Sequence, residues 1–128
     1  MKSELEFYKQ PFRKIKYGSW VYDADNNFVF QFETRFNAKG DYEDGELELQ
    51  QQVLESLNST DHKPIIGKKF FANPNDGGEI WYDEIHFITI RGWGNLTGIG
   101  AHNFDAEKAA KIQDDFCDWI IYKLTPTL

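Results

Sequence analysis

Apolar positions in this chain change period along its length, and the changes divide it into elements. Residues 1–17 have no clean period, yet Phe7, Tyr8, Phe12, Ile15 and Tyr17 are too apolar for a free tail and predict an arm or edge strand packed on the body. Residues 19–33 hold two β-prone aromatic runs separated by Asp23, Asp25, Asn26 and Asn27, a hairpin pattern. After a loop at 37–40, Leu49, Val53 and Leu57 recur at i, i+4 and i+8, with Gln50 and Leu54 beside them. That spacing predicts an amphipathic helix over 46–58.

The second half reads similarly. Residues 65–71 predict a short strand, Asn73, Pro74, Asn75, Gly77 and Gly78 mark a turn, and the nearly continuous apolar run 80–90 predicts a central strand. Strict alternation there would point His86 with Ile88 and Ile90. A glycine-rich loop follows, with Gly92, Gly94, Gly98 and Gly100 in nine residues. Asp105 stands as N-cap before a helix whose Ile112, Phe116, Ile120 and Leu124 recur at every fourth position until Pro126 stops it.

The halves rhyme. Val21-Tyr22-Asp23 matches Trp81-Tyr82-Asp83, and Val53-Leu54-Glu55-Ser56-Leu57 matches Ile120-Ile121-Tyr122-Lys123-Leu124. The order expected is β-β-α-β-β-α, an α+β fold with an antiparallel sheet and both helices on one face. With 128 residues, one domain is expected: an arm (1–17), a first ββα unit (18–60) and a second (61–128).

Composition narrows the function classes. Twenty-one aromatics among 128 residues give ample core material and exclude a disordered chain. Cys117 is the only cysteine, so no internal disulfide forms, and no stretch has the apolar length of a membrane span. The first residues lack an apolar signal core, so a cytoplasmic setting is expected and the glycosylation patterns at Asn58 and Asn95 read as chance. The net charge of −7 has the wrong sign for duplex nucleic acid, which is held by lysine and arginine on phosphates. Acidic side chains concentrate in residues 21–60, nine against two basic ones, with Asp41, Glu43 and Asp44 close together. They serve either as a solvated helix start or as a contact for a basic partner.

No constellation for catalysis, metal or cofactor emerges. His62, His86 and His102 are not at ligand spacing. Cys117 lies among Asp114, Asp115 and Asp118, which oppose thiolate formation. Asp83 and Glu84 with Asp114 and Asp115 could supply paired carboxylates, but Asp114, Asp115 and Asp118 fall largely opposite the apolar helix stripe, where solvation explains them. Gly98-Ile99-Gly100 resembles a phosphate cradle only superficially, since Asp105 and Glu107 at the helix start would repel phosphate. The favoured site is the glycine loop. Trp93 between Gly92 and Gly94, with Asn95 and His102, is either a core plug or a binding anchor.

Two stretches, together about half the chain, carry a resemblance. Tyr22-Asp23-Ala24-Asp25-Asn26-Asn27-Phe28-Val29, followed by the helix ending Val53-Leu54-Glu55-Ser56-Leu57-Asn58-Ser59, resembles a hairpin-helix module of small uncharacterised bacteriophage and prophage proteins, with Asn27 where glycine is usual. Arg91-Gly92-Trp93-Gly94-Asn95-Leu96-Thr97-Gly98 with Ala109-Ala110-Lys111-Ile112-Gln113-Asp114-Asp115-Phe116 is similar to the C-terminal signature of another such group. The resemblance implies a phage accessory protein in the host bacterial cytoplasm and brings no catalytic or binding residue with it. The expected function is non-enzymatic: binding, and inhibiting or modulating, a host protein with a basic surface. Sequestration of a nucleotide-like signal and a minor structural place in the virion stay open as alternatives. So does the oligomeric state, a homodimer included.

Overall fold

The computed structural model describes residues 8–75, 77–90 and 106–127. The strands are β1 (Trp20–Tyr22), β2 (Phe28–Phe32), β3 (Phe70–Ala72), β4 (Glu79–Tyr82) and β5 (Ile85–Ile90). Helix α1 spans Glu46–Asn58, and the last helix, α2, spans Ala106–Leu124. Every neighbouring pair is antiparallel, in the order β1-β2-β5-β4-β3. The fold is α+β as expected, in the order β-β-α-β-β-β-α.

One strand more than expected appears because the run 80–90 is a hairpin. Tyr82 pairs with Ile85, and the chain reverses through Asp83 and Glu84 alone, with Asp83 at φ 52°. Aspartate tolerates this left-handed region better than most residues, so the turn forms without glycine or asparagine and leaves no strong sequence mark. With β4 and β5 separated, the rhyme acquires a topology. Hairpin β1–β2 with α1 corresponds to hairpin β4–β5 with α2, and β2 and β5 meet at the centre of the sheet. Strand β3 is added at the β4 edge.

Both helices lie on one face, where the core draws on both halves of the chain. Leu49, Val53 and Leu57 of α1 and Ile112, Phe116, Ile120 and Leu124 of α2 are all buried, so both sequence stripes face inward. They meet Val21, Phe30, Phe32, Ile80, Ile88 and Ile90 from the sheet. Two register shifts adjust which side chains enter this core. Opposite Val21 and Tyr22, β2 bulges so that Val29 and Phe30 are both buried. Opposite Ile80 and Trp81, β5 bulges so that Phe87 and Ile88 are both buried. The second bulge breaks the alternation expected for His86, which turns away from Ile88, stacks on Trp81 at 5.3 Å and shares a 2.8 Å hydrogen bond with Thr89.

The arm does pack on the body. Arg13 exchanges two 2.9 Å backbone hydrogen bonds with Tyr22 at the edge of β1. Phe12 donates to Asn58 Oδ1 and accepts from Asn58 Nδ2 at the end of α1. Tyr8 and Phe12 are buried, with Phe116 of α2 at 4.7 and 5.8 Å between ring centroids. Among the described residues the buried Tyr8 hydroxyl has no hydrogen-bond partner, and desolvation together with Asp23 raises its pKa far above the ordinary phenol value. Asp23 itself organises the first hairpin. Its carboxylate accepts from the backbone N–H groups of Lys9, Asp25 and Asn27 and from Asn27 Nδ2, tying the turn to the arm.

Candidate functional site

An ordered aromatic surface is built where the chain leaves β2 for α1. Asn37 accepts on Oδ1 from the N–H of Lys39 and Asp41, and Asn37 N–H donates to Asp41 O at 2.7 Å. This side-chain-nucleated turn, completed by Gly40 at φ 84°, brings Phe36 opposite Tyr42 in an isolated antiparallel bridge. Glu43 N–H then donates to Arg35 O at 3.0 Å. Residues 35–43 are therefore a short second hairpin standing off the end of the sheet.

Its root is polar and buried. Glu46, at the first position of α1, accepts from Arg35 N–H and from Gln50 Nε2, both at 3.2 Å. Gln50 Nε2 also donates to Thr34 Oγ1, which shares a 2.6 Å hydrogen bond with Ser19. Two polar side chains from α1 thus hold the base of the hairpin, and Gly45 at φ 80° supplies the left-handed residue that starts the helix. Of the acidic residues counted in 21–60, Asp23 and Glu46 are consumed internally in this way.

The outer face of the hairpin is aromatic and acidic. The Tyr42 ring lies 5.1 Å from Phe36 and 6.0 Å from Tyr17 of the arm, and its hydroxyl donates to Tyr17 O at 3.0 Å. Phe36 is 56% exposed and Tyr17 62% exposed, although both are held by these contacts. Asp41 and Asp44 are exposed at the margin of this strip, and Glu43 is half-buried. Ordered aromatic surface next to carboxylates suits recognition of a partner carrying cations, because rings supply contact area and the carboxylates supply sign.

The remaining sequence candidates fall elsewhere. Gly92, Trp93, Gly94, Asn95 and His102, with the N-cap Asp105, lie outside the described residues. Cys117 is buried, and its thiol is pushed up to about 12 by burial first and by Asp118 and Asp114 next. It is a core residue. His62 stacks flat on Tyr122 at 4.9 Å and donates through Nε2 to Tyr122 O at 2.9 Å, while Ser56 and Ile65 serve the carbonyls of Lys123 and Leu124. These bonds close the C-terminal turn of α2.

The carboxylates do not converge either. Asp114 sits beside Gly77, which precedes β4, while Asp83 turns the chain after it, so the whole of β4 lies between them. Among the described residues no three His, Cys, Asp or Glu side chains gather as metal ligands. No helix among them is long and apolar enough to cross a membrane.

Sequence reasoning placed Asp41, Glu43 and Asp44 in a possible contact but missed Phe36, Tyr42 and the outward face of Tyr17. A usable signal was there for two of them: Phe36 and Tyr42 flank a polar Asn-Ala-Lys-Gly turn, with no apolar period to bury them. No family model and no curated protein matches the sequence, and no solved structure matches the fold.

Proposed function

We propose that this chain is a non-enzymatic binding domain that engages a basic surface of a partner protein through the 35–44 hairpin. The observation that supports this reading best is the strip of exposed Phe36 and Tyr17 with half-buried Tyr42 between them, fixed by backbone and hydroxyl hydrogen bonds and bordered by Asp41 and Asp44. Large exposed apolar side chains at fixed positions cost solubility unless they serve contact. Rings of this kind anchor interfaces, and nearby charges set partner choice and association rate. The chain's net charge of −7 adds long-range attraction toward a basic partner. The resemblance of the two quoted stretches to phage and prophage proteins supports a setting in the bacterial cytoplasm, with a host protein as the partner and its inhibition or modulation as the effect.

The test is affinity capture from bacterial lysate with the intact chain, the double variant Asp41→Lys/Asp44→Lys, and Phe36→Ser. A specific partner, retained by the intact chain, weakened by added salt and lost with both variants, is the expected result. Retention of the same partner by all three chains would remove the hairpin from the interface.

A further inference from the structure

Cations from two separate segments line one cleft at the C-terminal end of α1. The cleft, of about 510 Å³, takes Arg13 and Lys14 from the arm, Lys63 from the segment after the helix, and Gln51, Glu55 and Ser59 from α1 and its C-cap. Both walls are rooted in the fold. Phe12 is tied to the Asn58 side chain and Arg13 to Tyr22, each by two hydrogen bonds. On either side of Lys63, His62 stacks on Tyr122 and Ile65 N–H donates to Leu124 O at 3.0 Å.

The charges here do not cancel. Lys14 and Glu55 offset one another, and Lys14 Nζ is already engaged by the carbonyls of Ile15 and Lys16. Lys123, whose Nζ donates to Ser59 O at 2.7 Å, lies in the field of Asp61 and makes a second offsetting pair. Arg13 and Lys63 are left over. Both are exposed, and among the described residues neither side chain has a partner. Two spare cations over one cleft make its potential positive in a chain whose net charge is −7. The helix C-terminus, which would oppose an anion, is itself covered by Lys123 and by Gln10, whose Nε2 donates to Leu57 O.

Donors and acceptors are laid out along the cleft. Ser59 Oγ accepts from Asp61 N–H at 3.1 Å, which leaves its own proton for a ligand. Gln51, Glu55 and Ser59 recur at i, i+4 and i+8 and span about 12 Å at 1.5 Å per residue. The Ser59 end is rich in donors. Toward the other end Glu55, held by Gln51 Nε2 at 3.2 Å, offers an acceptor for hydroxyl protons. A single carboxylate would neutralise only one of the two spare cations. A phosphate monoester carries about −1.5 to −2 at neutral pH and presents paired oxygens to the fork of an arginine.

We infer that this cleft binds a small hydroxylated phosphate monoester, with its phosphate at Arg13, Lys63 and Ser59 and its hydroxyls toward Glu55 and Gln51. The site shares no residue with the 35–44 hairpin, so failure of either reading leaves the other standing.

Titration of the isotope-labelled full chain with ribose phosphate, followed through amide chemical shifts, tests it. Saturable shifts are expected at Arg13, Ser59, Asp61 and Lys63, weakening as salt rises, with affinity about tenfold or more above that for inorganic phosphate and no response to ribose. Arg13→Gln/Lys63→Gln should lose about tenfold or more in affinity while the rest of its spectrum shows an intact fold. Lys39→Gln, on the hairpin, should bind as the intact chain does. Absence of saturable shifts at millimolar ribose phosphate, equal binding of ribose or of inorganic phosphate, or undiminished binding by folded Arg13→Gln/Lys63→Gln would each overturn the site.

Discussion

Replacing Phe116 by alanine removes the side chain on which the arm, the sheet and α2 all meet. The ring is 2% exposed, with Tyr8, Phe12, Phe30 and Trp119 between 4.7 and 6.1 Å from its centroid. Truncating a buried phenylalanine costs about 3–5 kcal/mol, and four aromatic neighbours place this site toward the upper end, at roughly 4 kcal/mol. Against a total of about 5–15 kcal/mol for an ordinary domain, that is a large fraction. For a chain of this size it lowers Tm by roughly 15 °C. Urea unfolding followed by tryptophan fluorescence gives the number, with Trp20→Ala on the exposed side of β1 as a surface control expected to cost under about 1 kcal/mol. A double-mutant cycle between Tyr8→Leu and Phe116→Leu isolates the arm's share, expected at about 0.5–1.5 kcal/mol of coupling. A loss below about 1 kcal/mol for Phe116→Ala, or no coupling to Tyr8, would refute a docked arm.

Three further outcomes follow from single sites. Cys117 has a folded pKa of about 12 against a usual thiol value of 9.0. Above pH 9 the unfolded chain therefore loses a proton that the folded chain keeps. Stability falls there by about 1.4 kcal/mol per pH unit from this group, and alkaline urea titrations of Cys117→Ala should show a correspondingly shallower decline. Asp23→Ala removes the acceptor for three backbone N–H groups, with an expected loss of about 2–3 kcal/mol and faster amide exchange at Lys9, Asp25 and Asn27. Gly78→Ala forces a left-handed residue at φ 85° and puts a Cβ 2.5 Å from Gln113 Nε2. It should cost about 1–2 kcal/mol in thermal melts, and adding Gln113→Ala should recover the clash but not the backbone strain.

What the sequence disclosed and what it hid divide along local and non-local causes. The two helical stripes were legible because leucine, valine, isoleucine and phenylalanine at fourth positions need only their own helix to define a face. The first hairpin was legible because Asp23 caps its own turn. The turn at Asp83 was not, since the φ adopted there is stabilised by the pairing of β4 with β5. The same holds for the bulges at Val29 and Phe87, which exist only relative to the neighbouring strand and decide the side to which Phe28 and His86 point. The candidate surface was half legible. Asp41, Glu43 and Asp44 stood out as charge. Phe36, Tyr42 and Tyr17 became a surface only through a bridge and a hydroxyl bond spanning up to 25 residues.

The most direct test of the binding account is a photo-crosslinking amino acid placed at position 36 and, as a control, at exposed position 107 on α2. In bacterial lysate, a single discrete adduct from position 36, absent from position 107 and suppressed by Asp41→Lys/Asp44→Lys, is the result predicted. An adduct formed from position 107 alone, or one from position 36 that is indifferent to the charge reversal, would contradict it.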